Sequence, residues 1–316
     1  MCILYLEEGM NHDLLEIQHL SKQFGSHQVL RDLNFQVPEH SVYGFLGQNG
    51  AGKTTTMKII LGLLKADKGE VKVLGEPVRY GCTKTNRRVG YLPDVPEFYG
   101  YMNAEQYLRL CGEITGLTSK EISLRSEELL RLVGLSEEKK KIRGYSRGMK
   151  QRLGIAQALL NEPRLLICDE PTSALDPLGR KEILDILSKV REKTTVLFST
   201  HVLSDVERIC DRAAVLKDGR LVLSGSLEEL KAQRRKDSLC LETGTPEGQN
   251  LLESEFQKKG YVFEVEKKNG VLIFHTSDMA RLETELMICM TEHNICPMKM
   301  EVQKPTLENL FMEVIS

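Results

Sequence analysis

The chain has 316 residues, with 43 Lys+Arg against 45 Asp+Glu and a formal net charge of −2. That length accommodates about two domains. The charge balance excludes both a strongly basic nucleic-acid binder and an acidic disordered chain. Its longest apolar run, Ile59-Ile60-Leu61-Gly62-Leu63-Leu64, falls well short of the roughly 20 residues that a membrane span needs.

Residues 1–12 precede the first patterned segment. They carry no basic region and only a short apolar stretch, Cys2 to Leu6, so they do not read as a signal peptide. Glu7-Glu8-Gly9 can be encoded by a purine-rich ribosome-binding pattern, which makes Met10 a candidate start and the residues before it an extension. The eight cysteines include no CxxC pair. They read as buried free thiols of a reducing cytoplasm, not as a zinc or redox site.

From residue 13 the pattern becomes regular. Residues 13–20 and 29–37 alternate apolar and polar side chains as strands do. Residues 41–46 form a buried-strand run that enters a glycine-rich turn, and 54–64 reads as a helix. Short strands follow at 70–74 and 88–92, and 103–160 is mostly helical in period. Strands at 165–168 and 195–199 flank a helix over 179–193. This alternation predicts an α/β domain with a largely parallel sheet and an inserted helical part over about 95–160. The first domain is expected over 13–232, and the polar basic stretch 231–237 marks its end. Beyond it, over 238–316, strands at 238–243, 261–266, 270–275 and 296–302 alternate with helices at 246–259 and 278–293. The order βαββαβ, with a final helix over 306–315, predicts a small α+β domain of ferredoxin-like type.

Three motifs carry chemistry. Gly47-Gln48-Asn49-Gly50-Ala51-Gly52-Lys53-Thr54 matches the phosphate-binding loop G-x-x-x-x-G-K-[ST], between a strand and a helix as that loop requires. Glycines let backbone N–H groups surround phosphate oxygens, and the following helix aims its positive end at the same anion. Gly47, Asn49, Gly50, Ala51, Gly52, Lys53, Thr54 and Thr55 are the expected nucleotide contacts, with the Thr54 hydroxyl offered to Mg²⁺. Leu165-Leu166-Ile167-Cys168 ends in Asp169 and Glu170. Asp169 is placed to hold Mg²⁺, and Glu170 to orient and deprotonate an attacking water. The third motif is Tyr145-Ser146-Arg147-Gly148-Met149-Lys150-Gln151-Arg152.

Together these resemble the ATP-binding subunit of an ABC transporter, a P-loop NTPase with a helical subdomain. Ser146 and Gly148 match the family's LSGGQ signature, while Arg147 and Met149 depart from it. The form YSxGMKQR is similar to that of exporter ATPases that pair with ABC-2 class permeases. The resemblance implies that Ser146 and Gly148 contact the γ-phosphate of ATP held by the other subunit of a homodimer. It implies that Asp176, in Ser173-Ala174-Leu175-Asp176, crosses that interface. His201, in Ser199-Thr200-His201, corresponds to the switch histidine, and Phe24 to the adenine-stacking aromatic. Asp94 replaces the usual Gln that touches Mg²⁺, and is expected to reach the metal through water. The aromatic segment Val95 to Met102 is expected to line a groove for a permease helix. Pro305-Thr306-Leu307-Glu308-Asn309-Leu310-Phe311 resembles the C-terminal extension of such ATPases.

The resemblance implies ATP-driven closure of a dimer at the cytoplasmic face of a membrane, coupled to a separate permease. An alternative is an ABC-type ATPase acting on ribosomes or DNA. Ribosome-acting members usually join two ATPase domains in one chain, and DNA-repair members separate loop and signature by a long coiled coil. A generic P-loop kinase or GTPase needs neither the signature nor the histidine. The basic run over 137–152 reads as a solvated approach to the signature rather than as a nucleic-acid patch.

Overall fold

The computed structural model describes residues 13–81, 84–233, 237–258, 264–268, 270–276, 278–303 and 311. The proposed extension over 1–12, the turn position Asn269 and the expected helix over 306–315, Phe311 apart, lie outside them. Two compact units divide between Leu227 and Glu228.

The first unit begins with β1 (Asp13–Phe24), β2 (His27–Pro38) and β3 (Val42–Gly47), followed by α1 (Lys53–Ile60), β4 (Lys68–Val73), the two-residue β5 (Glu76–Pro77) and β6 (Val89–Leu92). The helical part comprises α2 (Ala104–Thr115), α3 (Ser119–Leu132) and α4 (Arg147–Leu159). Then come β7 (Leu165–Cys168), α5 (Pro177–Val190), β8 (Thr195–Thr200), α6 (Leu203–Ile209), β9 (Arg212–Lys217) and β10 (Arg220–Ser226).

Two sheets result. One is antiparallel with strand order β2-β1-β4-β5. The other has order β10-β9-β3-β8-β7-β6, parallel except for β10 at its edge. The alternating patterns of β1 and β2 predicted strands, as did the short run at β4, but such patterns also suit an antiparallel sheet with one face buried. That separate sheet is what the structure adds. One hydrophobic cluster joins both sheets and α1: Leu15, Ile17, Leu33 and Val73 of the antiparallel sheet, Met57 and Ile60 of α1, and Phe45, Ile167 and Leu197 of the parallel sheet all belong to it. Phe35 stacks on Phe45 at 5.3 Å and on Tyr43 at 5.8 Å between ring centroids, which locks β2 over β3 beyond simple area burial.

Helix α1 is shorter than its apolar pattern predicted. Gly62 takes φ 68, and its N–H and that of Leu63 bond back to Ile59 and Lys58. A left-handed glycine with those bonds is a standard helix stop. Helices α2 and α3 begin with complete capping boxes, Asn103 with Gln106 and Thr118 with Glu121, which satisfy otherwise orphaned N–H groups.

After α7 (Leu227–Gln233), which spans the division, the second unit contains β11 (Asp237–Thr243), α8 (Pro246–Lys258), β12 (Glu264–Lys268), β13 (Val271–Thr276), α9 (Met279–Glu292) and β14 (Pro297–Gln303). Its sheet order is β12-β13-β11-β14, and every neighbouring pair is antiparallel. That is the split-βαβ arrangement of a ferredoxin-like fold. Leu239, Leu241, Leu272 and Phe274 of the sheet pack against Leu252 and Phe256 of α8 and Leu282 and Leu286 of α9. Among the described cysteines Cys168 and Cys289 are buried, whereas Cys296 is exposed, so the expected burial of the thiols does not hold throughout.

Candidate active site

Parallel pairing sets the site. Leu46 of β3 lies beside Thr200 of β8, Cys168 of β7 beside Phe198, and Leu92 of β6 beside Cys168. The carboxyl ends of these strands therefore deliver Gly47, Asp94, Asp169 and His201 to one edge of the sheet. Ligands of open α/β sheets bind at that edge. Strand β3 is buried at every residue, so the loop after it starts from a rigid base.

The loop runs from Gly47 into α1 through Gly52, which takes φ 112. A Cβ there would lie 2.5 Å from Leu30 Cδ2, so only glycine fits on both counts. Gln48, Asn49, Gly50 and Thr54 are exposed, Thr55 is half-buried, and Ala51 is buried. Lys53 is buried at 5% exposure. Its Nζ donates to Gly47 O at 2.5 Å and Gln48 O at 3.3 Å, and lies 3.0 Å from Glu170 Oε1.

Glu170 is fixed from three sides. Its N–H donates to Ser199 Oγ at 2.9 Å, its carbonyl accepts from the Ser173 N–H at 3.0 Å, and its Oε2 lies 2.9 Å from His201 Nδ1. Its φ is 47, left-handed for a non-glycine residue, which costs about 1–2 kcal/mol. A left-handed backbone held within a cluster of polar side chains makes Glu170 a candidate functional position. Asp169, 3% exposed, accepts from the Ser199 hydroxyl at 2.7 Å through Oδ1. One serine hydroxyl thus aligns both carboxylate residues. Tyr91 on β6 stays a neutral phenol, because burial first and the charge of Asp169 second push its pKa up to about 12. His201 is half-exposed beside these buried groups.

The signature residues form a second cluster. Ser146 caps α4 and accepts the Met149 N–H at 3.2 Å. A Cβ on Gly148 would meet nothing nearer than Leu175 Cδ2 at 3.9 Å, so the helix start is open. Asp176 caps α5 and accepts the Gly179 N–H at 3.2 Å, with Pro177 opening the helix. Helices α1 and α4 share a property that the other described α-helices lack: neither has an acidic first turn nor an acidic cap. Both keep their positive ends available to an anion.

Two expected residues have other neighbours. Asp94, expected at the metal, pairs through Oδ1 with Arg147 Nη2 at 3.2 Å, and its carbonyl accepts from Gln151 Nε2 at 2.6 Å. Two of the three departures from the family pattern, Asp94 and Arg147, are thus partners of each other. Phe24 is 48% exposed, with Lys22 Nζ 5.2 Å from its ring centroid. Ser199, Thr172 and Asp205 were not singled out by the motifs. The one signal for Ser199 was its place two residues before His201.

A model of the ABC transporter family matches residues 30–173. An uncharacterised ABC transporter ATP-binding protein, YxlF of Bacillus subtilis, is 38% identical over 96% of this chain and 99% of its own length. The bacitracin transport ATP-binding protein BcrA of Bacillus licheniformis is 35% identical over 96% of this chain and 97% of its own. Among solved structures, a dimeric ATP-binding cassette in a post-hydrolysis state with ADP and Pi superimposes with a TM-score of 0.60, at 26% identity, over 67% of this chain and 98% of that one. With its phosphate-binding loop, paired carboxylates and open signature helix, this chain belongs to the ATP-hydrolysing ATP-binding subunits of ABC transporters.

Proposed function

We propose that this chain powers an exporter, as one half of a homodimer that docks on a separate ABC-2 class permease at the cytoplasmic face of the membrane. The observation that carries the reading is the contact of Lys53, Glu170 and His201 at one end of the parallel sheet, together with a second helix start, that of α4, that has no acidic group in its first turn or at its cap. Phosphate held at Lys53 and the start of α1 would need a second subunit to bring Ser146 and Gly148 to it. BcrA, by its name a bacitracin transport protein, supports a transport role over action on ribosomes or DNA. Among the described residues, no helix is long and apolar enough to cross a membrane.

In this reading Phe24 stacks on adenine, and the loop from Gly47 to Thr55 holds the phosphates. Glu170 orients water, and His201 holds Glu170 in place through Nδ1. Asp176 reaches across the dimer. The residues also suit Mg²⁺. Asp169 offers Oδ2 beside its fixed Oδ1, and Thr54 adds an exposed hydroxyl. Among the described residues, no three His, Cys, Asp or Glu gather to hold a metal unaided. A small hard cation bound by one or two protein oxygens plus substrate phosphates needs no more. When bound it neutralises charge on the transferred phosphoryl group. Asp94 is left out of that set, because Arg147 engages its carboxylate.

Glu170→Gln tests the reading. It keeps the shape and removes the base, so turnover should fall by at least about a hundredfold, while ATP binding by equilibrium dialysis persists. Normal turnover in this variant contradicts the assignment.

A further inference from the structure

One buried carboxylate connects two parts of the site without belonging to any motif. Asp205 sits in α6, four residues past His201, and is 1% exposed. Thr172, two residues past Glu170 and also 1% exposed, donates its hydroxyl to Asp205 Oδ2 at 2.7 Å. Arg180 of α5 approaches from the other side, with Nε 3.8 Å from Oδ1. A carboxylate withdrawn from water to this degree is costly unless paired and hydrogen-bonded. Here both conditions are met by residues from the segment after Glu170.

These contacts close a ring. From Glu170 the chain runs through Pro171 to Thr172. The hydrogen bond crosses to Asp205, and the start of α6 leads back to His201. His201 Nδ1 then meets Glu170 Oε2 at 2.9 Å. Two segments that leave adjacent parallel strands, β7 and β8, are thereby tied behind the two reactive side chains.

We propose that Asp205 and Thr172 are positioning residues for ATP hydrolysis. They hold the Glu170 peptide and the His201 loop as one unit, so both side chains stay aligned during turnover. The inference rests on the reading of Glu170 as the group that orients water.

The test compares ATP turnover and ATP binding in full-length variants, at protein concentrations where the wild-type rate per chain has reached its plateau. Thr172→Val keeps the side-chain shape and removes the donor. Its kcat should fall about tenfold, with the ATP Kd within about twofold of wild type. Thr172→Ser restores the hydroxyl and should return kcat to within about threefold of wild type. Asp205→Asn provides a second measurement of similar volume. Turning its oxygen toward Thr172 sets its NH₂ against the Arg180 donor, so kcat should again fall at unchanged ATP affinity. The proposal is overturned if Thr172→Val and Asp205→Asn keep wild-type kcat, if their losses are matched by lost ATP binding, or if Thr172→Ser is no better than Thr172→Val. Glu170→Gln, run alongside, separates the two failures. If it alone loses turnover, the positioning inference fails and the function stands. If it turns over normally, both fail.

Discussion

Gly52 shows how a single residue sets what the site can do. Its φ of 112 is a conformation that residues with a side chain rarely adopt, and a Cβ there would also force Leu30 Cδ2, 2.5 Å away, to shift. Gly52→Ala should lose ATP binding and lower the melting temperature together, as calorimetry with and without nucleotide would record. Asp94 and Arg147 behave differently. Their pair is half-exposed on both sides, and such pairs contribute about 0–1 kcal/mol. Asp94→Asn should therefore leave stability nearly unchanged. With Asp169 and Thr54 as the protein oxygens proposed for the ion, it should also leave the Mg²⁺ concentration for half-maximal ATPase within about twofold of wild type. A large rise in that concentration would return Asp94 to the metal.

Among the elements, α1 and α4 are the α-helices whose starts are left free of acidic groups, and both are expected at phosphate. The caps differ in kind. Gly52 provides no side chain, whereas the Ser146 hydroxyl already accepts the Met149 N–H. Ser146→Ala should cost about 1 kcal/mol of stability by loss of the cap. Its ATPase should fall much further than that loss explains, because the same position is expected at the partner's γ-phosphate. Equal, small changes in both measurements would reduce Ser146 to a cap. The elements that were legible in the sequence are those whose signal is local. The phosphate loop, the carboxylates ending β7 and the βαββαβ order of the second unit each sit in a short stretch of chain. The antiparallel sheet was not legible, because the patterns of β1, β2 and β4 suit any half-buried strand. The ties from Ser199 to Asp169 and Glu170, and from Thr172 to Asp205, were not legible either. They join residues about thirty positions apart, brought together by the parallel pairing of β7 with β8.

For the whole molecule, the near-neutral charge and the absence of a long apolar run began as exclusions. They fit the proposed subunit, in which the phosphate loop of one copy is completed by the signature helix of another. The most direct measurement is light scattering of Glu170→Gln with ATP and Mg²⁺, together with the count of bound nucleotide. The expected result is a species of twice the chain mass carrying two ATP, which returns to single chains when nucleotide is removed. A species of single-chain mass that binds ATP fully under the same conditions would contradict the shared site.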